Sequence, residues 1–406
     1  MIASEKLPRM TVALFGAAML LLFKVLTQDE AIEKIDFNTI GLLIGMMIIV
    51  NILKRTGAFE YLAIKAAKMV SGDPWKIIVA FVILTAVASA FLDNVTTILL
   101  IIPVALVITE TLEVNPIPFI LPLILASNIG GTSTLIGDPP NIMIGSATGL
   151  GFMDFLINLA PIIIVITIVT IFILKLMFKK SMHVSSDKCA SIMQMDEKLA
   201  IKDKVLLKKG IFVLGLTMIG FILHQYLNFE SATVALIGAA LLLLISRIEP
   251  EEILIDVEWP TIFFFMALFI MVGGLEAVGV IDVIAGGLLD ITGGNMLLMV
   301  IFILWGSALA SAFLDNIPFV ATMIPLLKSV AVMSGLSVTP LWWALALGAC
   351  LGGNGTMIGA SANVIASGML VRHGYKLTFM NYLKVGMPIM IVSIVLSTAY
   401  LIIFYV

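Results

Sequence analysis

Residues 86–94 read AVASAFLDN and residues 308–316 read ALASAFLDN, eight of nine identical at a separation of 222. Self-similarity at one fixed spacing marks a repeated structural unit, and the same shift holds on both sides of this pair. Upstream it lays residues 11–22 (TVALFGAAMLLL) on residues 233–244 (TVALIGAALLLL), ten of twelve identical. Downstream it pairs Pro103 with Pro325, and Gly130, Gly131, Thr134, Ile136, Gly137 and Asn141 with Gly352, Gly353, Thr356, Ile358, Gly359 and Asn363. The shift then becomes 227, where Phe152, Met153, Leu156 and Pro161 meet Phe379, Met380, Leu383 and Pro388. The chain is two copies of one unit joined by a charged segment. The copies span residues 1–180 and 210–406, with a Lys-rich linker at 181–209.

Composition sets the medium. Of 406 residues 61% are hydrophobic and 12% charged, against about 25% charged in a soluble domain, which excludes a water-soluble enzyme. At about 20 apolar residues per crossing the apolar stretches supply nine or ten bilayer-length segments, so the chain reads as an all-α polytopic membrane protein. A net charge of −3 suggests no nucleic-acid partner. Cys189 and Cys350, far apart and unlike in setting, form no disulfide framework or thiolate metal site, and 24 methionines fit membrane packing. No cofactor is implied.

On the second copy the unit reads as helices at 211–226, 233–245 and 261–274, an element at 297–327 broken at Asp315-Asn316, an element at 341–370 broken by Gly352 to Gly355, and a helix at 383–405. The first copy gives 12–26, 39–53, 77–107 broken at Asp93-Asn94, 119–147 broken between Gly130 and Asn141, and 155–178. The counterpart of the 211–226 helix would precede residue 1. Residues 58–70 are amphipathic and read as resting at the interface, whereas the stretch from Glu276 to Asn295 reads as a loop.

Lys and Arg set orientation. With each Asp-Asn element a re-entrant hairpin and each glycine-broken element one discontinuous span, nineteen basic residues share one face, among them Lys6, Arg9, Lys54, Arg55, Arg247 and the eight lysines of 179–209. The other face receives Lys34 and Lys328, with Lys24 and Lys175 near helix ends. The nineteen-residue side reads as cytoplasmic. A complete unit then crosses five times, and successive odd units point in opposite directions, giving two inverted-topology repeats, an arrangement that lets one site face either side in turn. The linker reads as a solvated cytoplasmic segment.

Irregular backbone at membrane depth persists only where it lines a polar cavity. The breaks therefore mark the candidate substrate and ion site: Asp93, Asn94, Thr96, Thr97, Asn128, Gly131, Thr132, Thr134, Asp138 and Asn141 in the first copy, and Asp315, Asn316, Asn354, Thr356 and Asn363 in the second. Freed carbonyls with hydroxyl and amide side chains suit small cations, and half-helix N-termini attract anions. A charge at the bilayer centre costs about 2.5 kcal/mol or more on insertion scales. A carboxyl that only capped its helix could be replaced by Ser or Asn at lower cost, so Asp93 and Asp315 point to proton or cation binding. Asp138 pairs with Ala360, and a turn role before Pro139 accounts for it equally well; Pro139-Pro140 reads as a helix stop. Thr96 and Thr97 stand opposite Pro318 and Phe319, which makes Asp93 the stronger expected ion site and Asp315 the more tolerant tip. His224, near a helix end, reads as interfacial.

At these motifs, FLDNVTTILLIIP (91–103) and ASNIGGTSTLIGDPPNIMIG (126–145), the sequence resembles the ion transporter superfamily in its ArsB/NhaD branch, with a citrate-transporter-like domain. That branch covers arsenite-antimonite efflux carriers, sodium/proton antiporters and the melanosomal P protein. The resemblance, which covers nearly the whole chain, implies a scaffold domain, a transport domain moving as an elevator, and a homodimer. It places Asp93-Asn94-Val95-Thr96 and Asp315-Asn316 at the hairpin tips where related divalent-anion/sodium symporters carry Ser-Asn-Thr. The sequence departs from bacterial arsenite pumps, which show an Ala-Asn-Asp-Gly tip.

These readings lead to an inner-membrane secondary carrier, not an enzyme, that moves a small inorganic solute in exchange for H+ or Na+. Arsenite or antimonite efflux leads and sodium/proton antiport follows. Sodium-coupled carboxylate import is disfavoured because tip carboxylates repel a dicarboxylate. An ion channel is the reading from another class. The Tyr-Asp and Gly-x-Gly-Asp signatures of an intramembrane aspartyl protease are absent.

Overall fold

The computed structural model describes residues 8–178 and 186–406, and these are all helix and connecting turns. The first copy contains α1 (Arg9–Leu22), α2 (Gln28–Glu33), α3 (Phe37–Arg55), α4 (Ala58–Met69), α5 (Pro74–Phe91), α6 (Asn94–Thr111), α7 (Ile117–Gly131), α8 (Pro139–Thr148) and α9 (Phe152–Phe178). After α10 (Ser186–Gln194) and a 3-10 turn at Glu197–Ala200 comes α11 (Lys204–Leu223), which starts inside the stretch read as linker. The second copy continues with α12 (Ser231–Ser246), α13 (Pro250–Leu254), α14 (Trp259–Ala277), α15 (Val280–Thr292), α16 (Met296–Phe313), α17 (Asn316–Ser334), α18 (Thr339–Gly352), α19 (Ser361–Arg372) and α20 (Phe379–Tyr405). Helices α1 to α8 start 222 residues before α12 to α19, and α9 starts 227 before α20.

Local chemistry repeats with the helices. Asp73 caps α5, accepting from the Lys76 N–H at 2.9 Å, and Asn295 caps α16, accepting from Leu298 at 3.2 Å. Left-handed Gly57 and Gly279 open α4 and α15. The stretch read as the 276–295 loop is therefore a correction: it contains α15, counterpart of the amphipathic α4. The proline reading changes too. Pro139 and Pro140 occupy the first turn of α8, where a missing N–H costs nothing, so they begin a helix instead of stopping one. Residues 1–7, with Lys6, and residues 179–185, with the start of the linker, lie outside the described residues.

Nine of the described helices, 18 to 27 residues long, are apolar enough to cross a bilayer. Among them are both hairpin limbs of each copy, so length alone does not separate a re-entrant limb from a crossing one. The ends of the first hairpin lie together, as they do in either arrangement. Gly72, just before α5, packs against the Cys189 carbonyl, and Glu113, just after α6, pairs with Lys188. The hairpin therefore leaves and returns beside the same linker.

The copies interlock by exchanging partners: α1 packs on α14 and α12 on α3, while α6 meets α19 and α17 meets α8. Two ion-paired ends fix a direction. Lys34, before α3, reaches Glu276 at the end of α14 (2.7 Å), and Arg55, the last residue of α3, reaches Glu252 (2.7 Å) and Asp256 (3.1 Å) just before α14. These repeat mates thus run antiparallel.

Candidate transport site

The backbones of hairpin and broken helix touch. A Cβ built on Gly130 of α7 would lie 2.2 Å from the Ala86 carbonyl oxygen of α5, and one on Gly352 of α18 would lie 2.6 Å from that of Ala308 of α16. Serines stitch the crossings, Ser89 Oγ donating to the Ser127 carbonyl (2.7 Å) and Ser311 Oγ to that of Ala349 (2.6 Å). The break is held by a second tie. Asn141 donates its amide hydrogens to the carbonyls of Thr132 (3.0 Å) and Thr134 (2.9 Å), and Asn363 does the same to Gly353 (2.8 Å) and Thr356 (2.9 Å). Thr134 and Thr356 donate their hydroxyls to Ala90 and Ala312 of the adjoining hairpins. The Gly131 and Gly137 backbones also meet, leaving no room for a side chain at either.

At the centre, an amide chain joins the copies. Asn94 donates to Asn128 (3.1 Å), and Asn128 donates to both Asn354 and Asn363 (2.9 Å each). Cys350, the repeat mate of Asn128, points its thiol at the Asn141 oxygen (3.6 Å), the second-copy version of the Asn128–Asn363 contact. Buried polar groups are costly unless paired, and this network pairs four asparagines with one another.

In front of it lies a cavity of about 510 Å³ lined by Asp93, Asn94, Asp138 and Asn316 of the candidate set, together with Arg9, Glu258, Thr261 and Ser361. The N-termini of α6, α8, α17 and α19 all open onto it. Asp93 caps α6, accepting the Thr96 N–H at 2.8 Å and the Thr96 hydroxyl. Asp315 caps α17, accepting the Ile317 N–H at 3.0 Å. Asp138 makes no cap bond; its buried carboxylate faces the Asn316 amide at 3.4 and 3.5 Å, so it belongs to the site and not only to the turn. Thr97 is buried behind the tip with its hydroxyl unpartnered, and Thr132 spends its hydroxyl on the Asn128 carbonyl (2.7 Å).

Arg9 and Glu258 were not among the candidates, whereas Ser361 was offered by the second break. Arg9 pairs with Asp315 and also donates to Ser361 Oγ at 3.1 Å, while Ser361 donates to Asp315 at 2.9 Å. The sequence signal was faint: an arginine opens α1 where its repeat mate is Ser231. Glu258, just ahead of α14, is pushed up to about 7 by its burial and by the neighbouring Asp93 carboxylate.

The Arg9 pair gives Asp315 a structural task that the expectation of a tolerant tip did not include. Removing one partner of a buried ion pair costs about 3–5 kcal/mol because the other is left uncompensated; with the Arg9 side chain 23% exposed, about 2 kcal/mol is the expected loss. Asp315→Asn should lower the thermal midpoint of the purified protein, and adding Arg9→Gln should restore part of it. Equal midpoints in all three proteins would show the pair to be idle.

The citrate transporter family CitMHS matches residues 1–348. The chain belongs to that family. CitMHS membership agrees with its relatives: an uncharacterized transporter of Mycobacterium bovis is 44% identical over 99% of this chain and 95% of its own length. The P proteins of Sus scrofa and Homo sapiens are each 34% identical over 94% and 93% of the chain, which spans 54% of their length. The solved YdaH transporter of Alcanivorax borkumensis shares the fold, with a TM-score of 0.63 at 12% identity over 98% of both chains. This CitMHS member is a multi-pass secondary transporter and not an enzyme.

Proposed function

We propose that this CitMHS protein exchanges protons for a small inorganic solute, with arsenite or antimonite efflux as the leading activity. The observation that carries the reading is the charge of the cavity. Among the described residues Asp93, Asp138 and Glu258 face it, together with the Arg9 guanidinium, which pairs with Asp315. A tricarboxylate such as citrate would meet these carboxyl groups, offset only in part by the helix N-termini, whereas a neutral hydroxide or a cation would meet no like charge. Sodium/proton antiport is the second reading, favoured by the same carboxylates beside the Asn94 and Asn316 amides.

The repeats are read as inverted and the Lys-rich face as cytoplasmic, supported by the antiparallel α3 and α14. A homodimer in the cell's inner membrane and an elevator-like motion belong to the same reading. The helices α1, α3, α11, α12 and α14 pack mainly on one another, apart from the hairpins and broken helices that hold the site. In a Cys189→Ser background, Ser71→Cys should react with an impermeant thiol reagent only from the cytoplasm, and its repeat mate Gly293→Cys only from outside. Labelling of both from one face would restore a parallel duplication.

The solute is tested in proteoliposomes offered arsenite, antimonite, sodium and citrate under an imposed pH gradient. Arsenite or antimonite flux that follows the gradient supports the leading reading, and sodium flux the second. Sodium-driven citrate uptake without either would overturn both. Counterflow of labelled solute separates a carrier from a channel.

A further inference from the structure

Asp36 and Glu258 are repeat mates, each just ahead of one of the antiparallel helices α3 and α14. Arg55 at the end of α3 pairs with Asp256 (3.1 Å), so Glu258 stands at the opposite end of α3 from Asp36, about 27 Å away along the helix. The two carboxylates are differently engaged. Asp36 caps α3, accepting from the N–H of Asn38 (3.0 Å) and of Thr39 (3.1 Å), and it also accepts the hydroxyl of Ser146 in α8 (2.8 Å). Asn38 donates its amide to the same hydroxyl (3.2 Å), while its oxygen takes the Ala232 N–H in the first turn of α12 (2.9 Å).

Ser146 is thereby the point where the broken helix of the first copy is tied to α3 and α12. A second tie stands beside it: Gln225, between α11 and α12, donates to Asp154 of α9 (2.7 Å) and to the Gly149 carbonyl after α8 (3.3 Å). Asp154 also accepts the Gly151 N–H (2.8 Å), which fixes the α8–α9 turn. At the other end the pattern is missing among the described residues. The Glu258 carboxylate accepts the Thr261 hydroxyl within its own turn (3.1 Å), and no described hydrogen bond joins it to α19. Gly368, the repeat mate of Ser146, has open space where a side chain would stand, and Asn381, the mate of Asp154, is exposed. The carboxylate cavity lies on this untied side, with Glu258, Pro8 and Val364 in its walls.

We propose that Ser146 is a positioning residue of the transport cycle: its bonds to Asp36 and Asn38 hold α8 against α3 and seal the cavity at that end, and Glu258 forms the reciprocal tie to α19 when the other end closes. A hydrogen bond to a carboxylate is stronger than one between neutral groups, and the two that converge on one hydroxyl break together when α8 moves. In repeats of opposite direction, the contacts one copy makes in one state are those the other copy makes in the opposite state. Ser367, next to Gly368, is the hydroxyl that α19 offers to Glu258. The inference rests on the inverted-repeat reading and not on the identity of the solute.

The test is labelling of Val364→Cys by an impermeant thiol reagent from each face of sealed vesicles, in a Cys189→Ser background where the remaining Cys350 is fully buried. No transported solute enters the measurement, so its outcome is separate from that of the flux assay, and a parallel duplication is caught by the labelling at residues 71 and 293. Label should enter from the Glu258 face and scarcely from the Asp36 face. Ser146→Ala should raise the Asp36-face rate about tenfold, the effect of losing one hydrogen bond to a charged group. Ser146→Thr, which keeps the hydroxyl, should label like the parent, and adding Glu258→Ala to Ser146→Ala should reverse the gain. Ser146→Ala labelling like its parent, labelling that rises equally from both faces, or a gain that Glu258→Ala leaves untouched would overturn the proposal.

Discussion

Asp93→Asn should fold and insert normally yet carry solute under a pH gradient no faster than protein-free liposomes. The carboxylate's structural task is to cap α6 by accepting from the N–H and hydroxyl of Thr96. An asparagine oxygen still accepts the N–H, and the hydroxyl can turn to accept from the amide, so local structure survives. What disappears is the ionisable group facing the cavity. Among the described ion pairs Asp93 has no arginine partner, unlike Asp315. Purification yield and thermal midpoint close to wild type, together with abolished flux, are the expected pair of results. Wild-type flux that keeps its pH dependence would reduce Asp93 to a helix cap.

The second large effect is on folding. At Gly130 and Gly352 a single added carbon would sit 2.2 and 2.6 Å from carbonyl oxygens of Ala86 and Ala308. Those atoms are backbone of the hairpin's inward limb, and they cannot turn aside as a side chain would. Overpacking that a core can absorb costs about 1–3 kcal/mol, and this one exceeds what rotation can relieve. Gly130→Val and Gly352→Val should each abolish recovery of monodisperse protein in fluorescence-detected size exclusion. Gly215→Ala, in α11 with open space around its Cα, should be recovered like wild type. Normal recovery of either valine variant would mean that the α5–α7 and α16–α18 crossings are looser than described.

The helical plan was legible because the repeat carries its own control: a helix read in one copy can be checked 222 residues away. Where that check was not applied, the reading failed. Residues 280–292 passed for a loop, although the shift lays them on the amphipathic α4. Asp93, Asn94, Asp138 and Asn316 were legible as cavity-lining residues because polar side chains at helix breaks in an apolar chain need a cavity. The partners they meet were not legible. Arg9 and Asp315 are separated by 306 residues and Asn128 and Asn363 by 235, and they meet only because the copies exchange helices. A tip judged tolerant from its poorer hydroxyl content proves to be the one held by a guanidinium. Composition near a break tells which atoms are offered, and packing alone tells which are already taken.

Proton movement evoked by solute is the most direct test of a proton-coupled carrier. Proteoliposomes loaded with a pH-sensitive dye and given an outward arsenite or antimonite gradient, with no imposed pH difference, should show protons moving against the solute in wild type. Asp93→Asn should show none. Solute flux in wild type with no accompanying proton movement, or the same movement in the variant, would contradict the account.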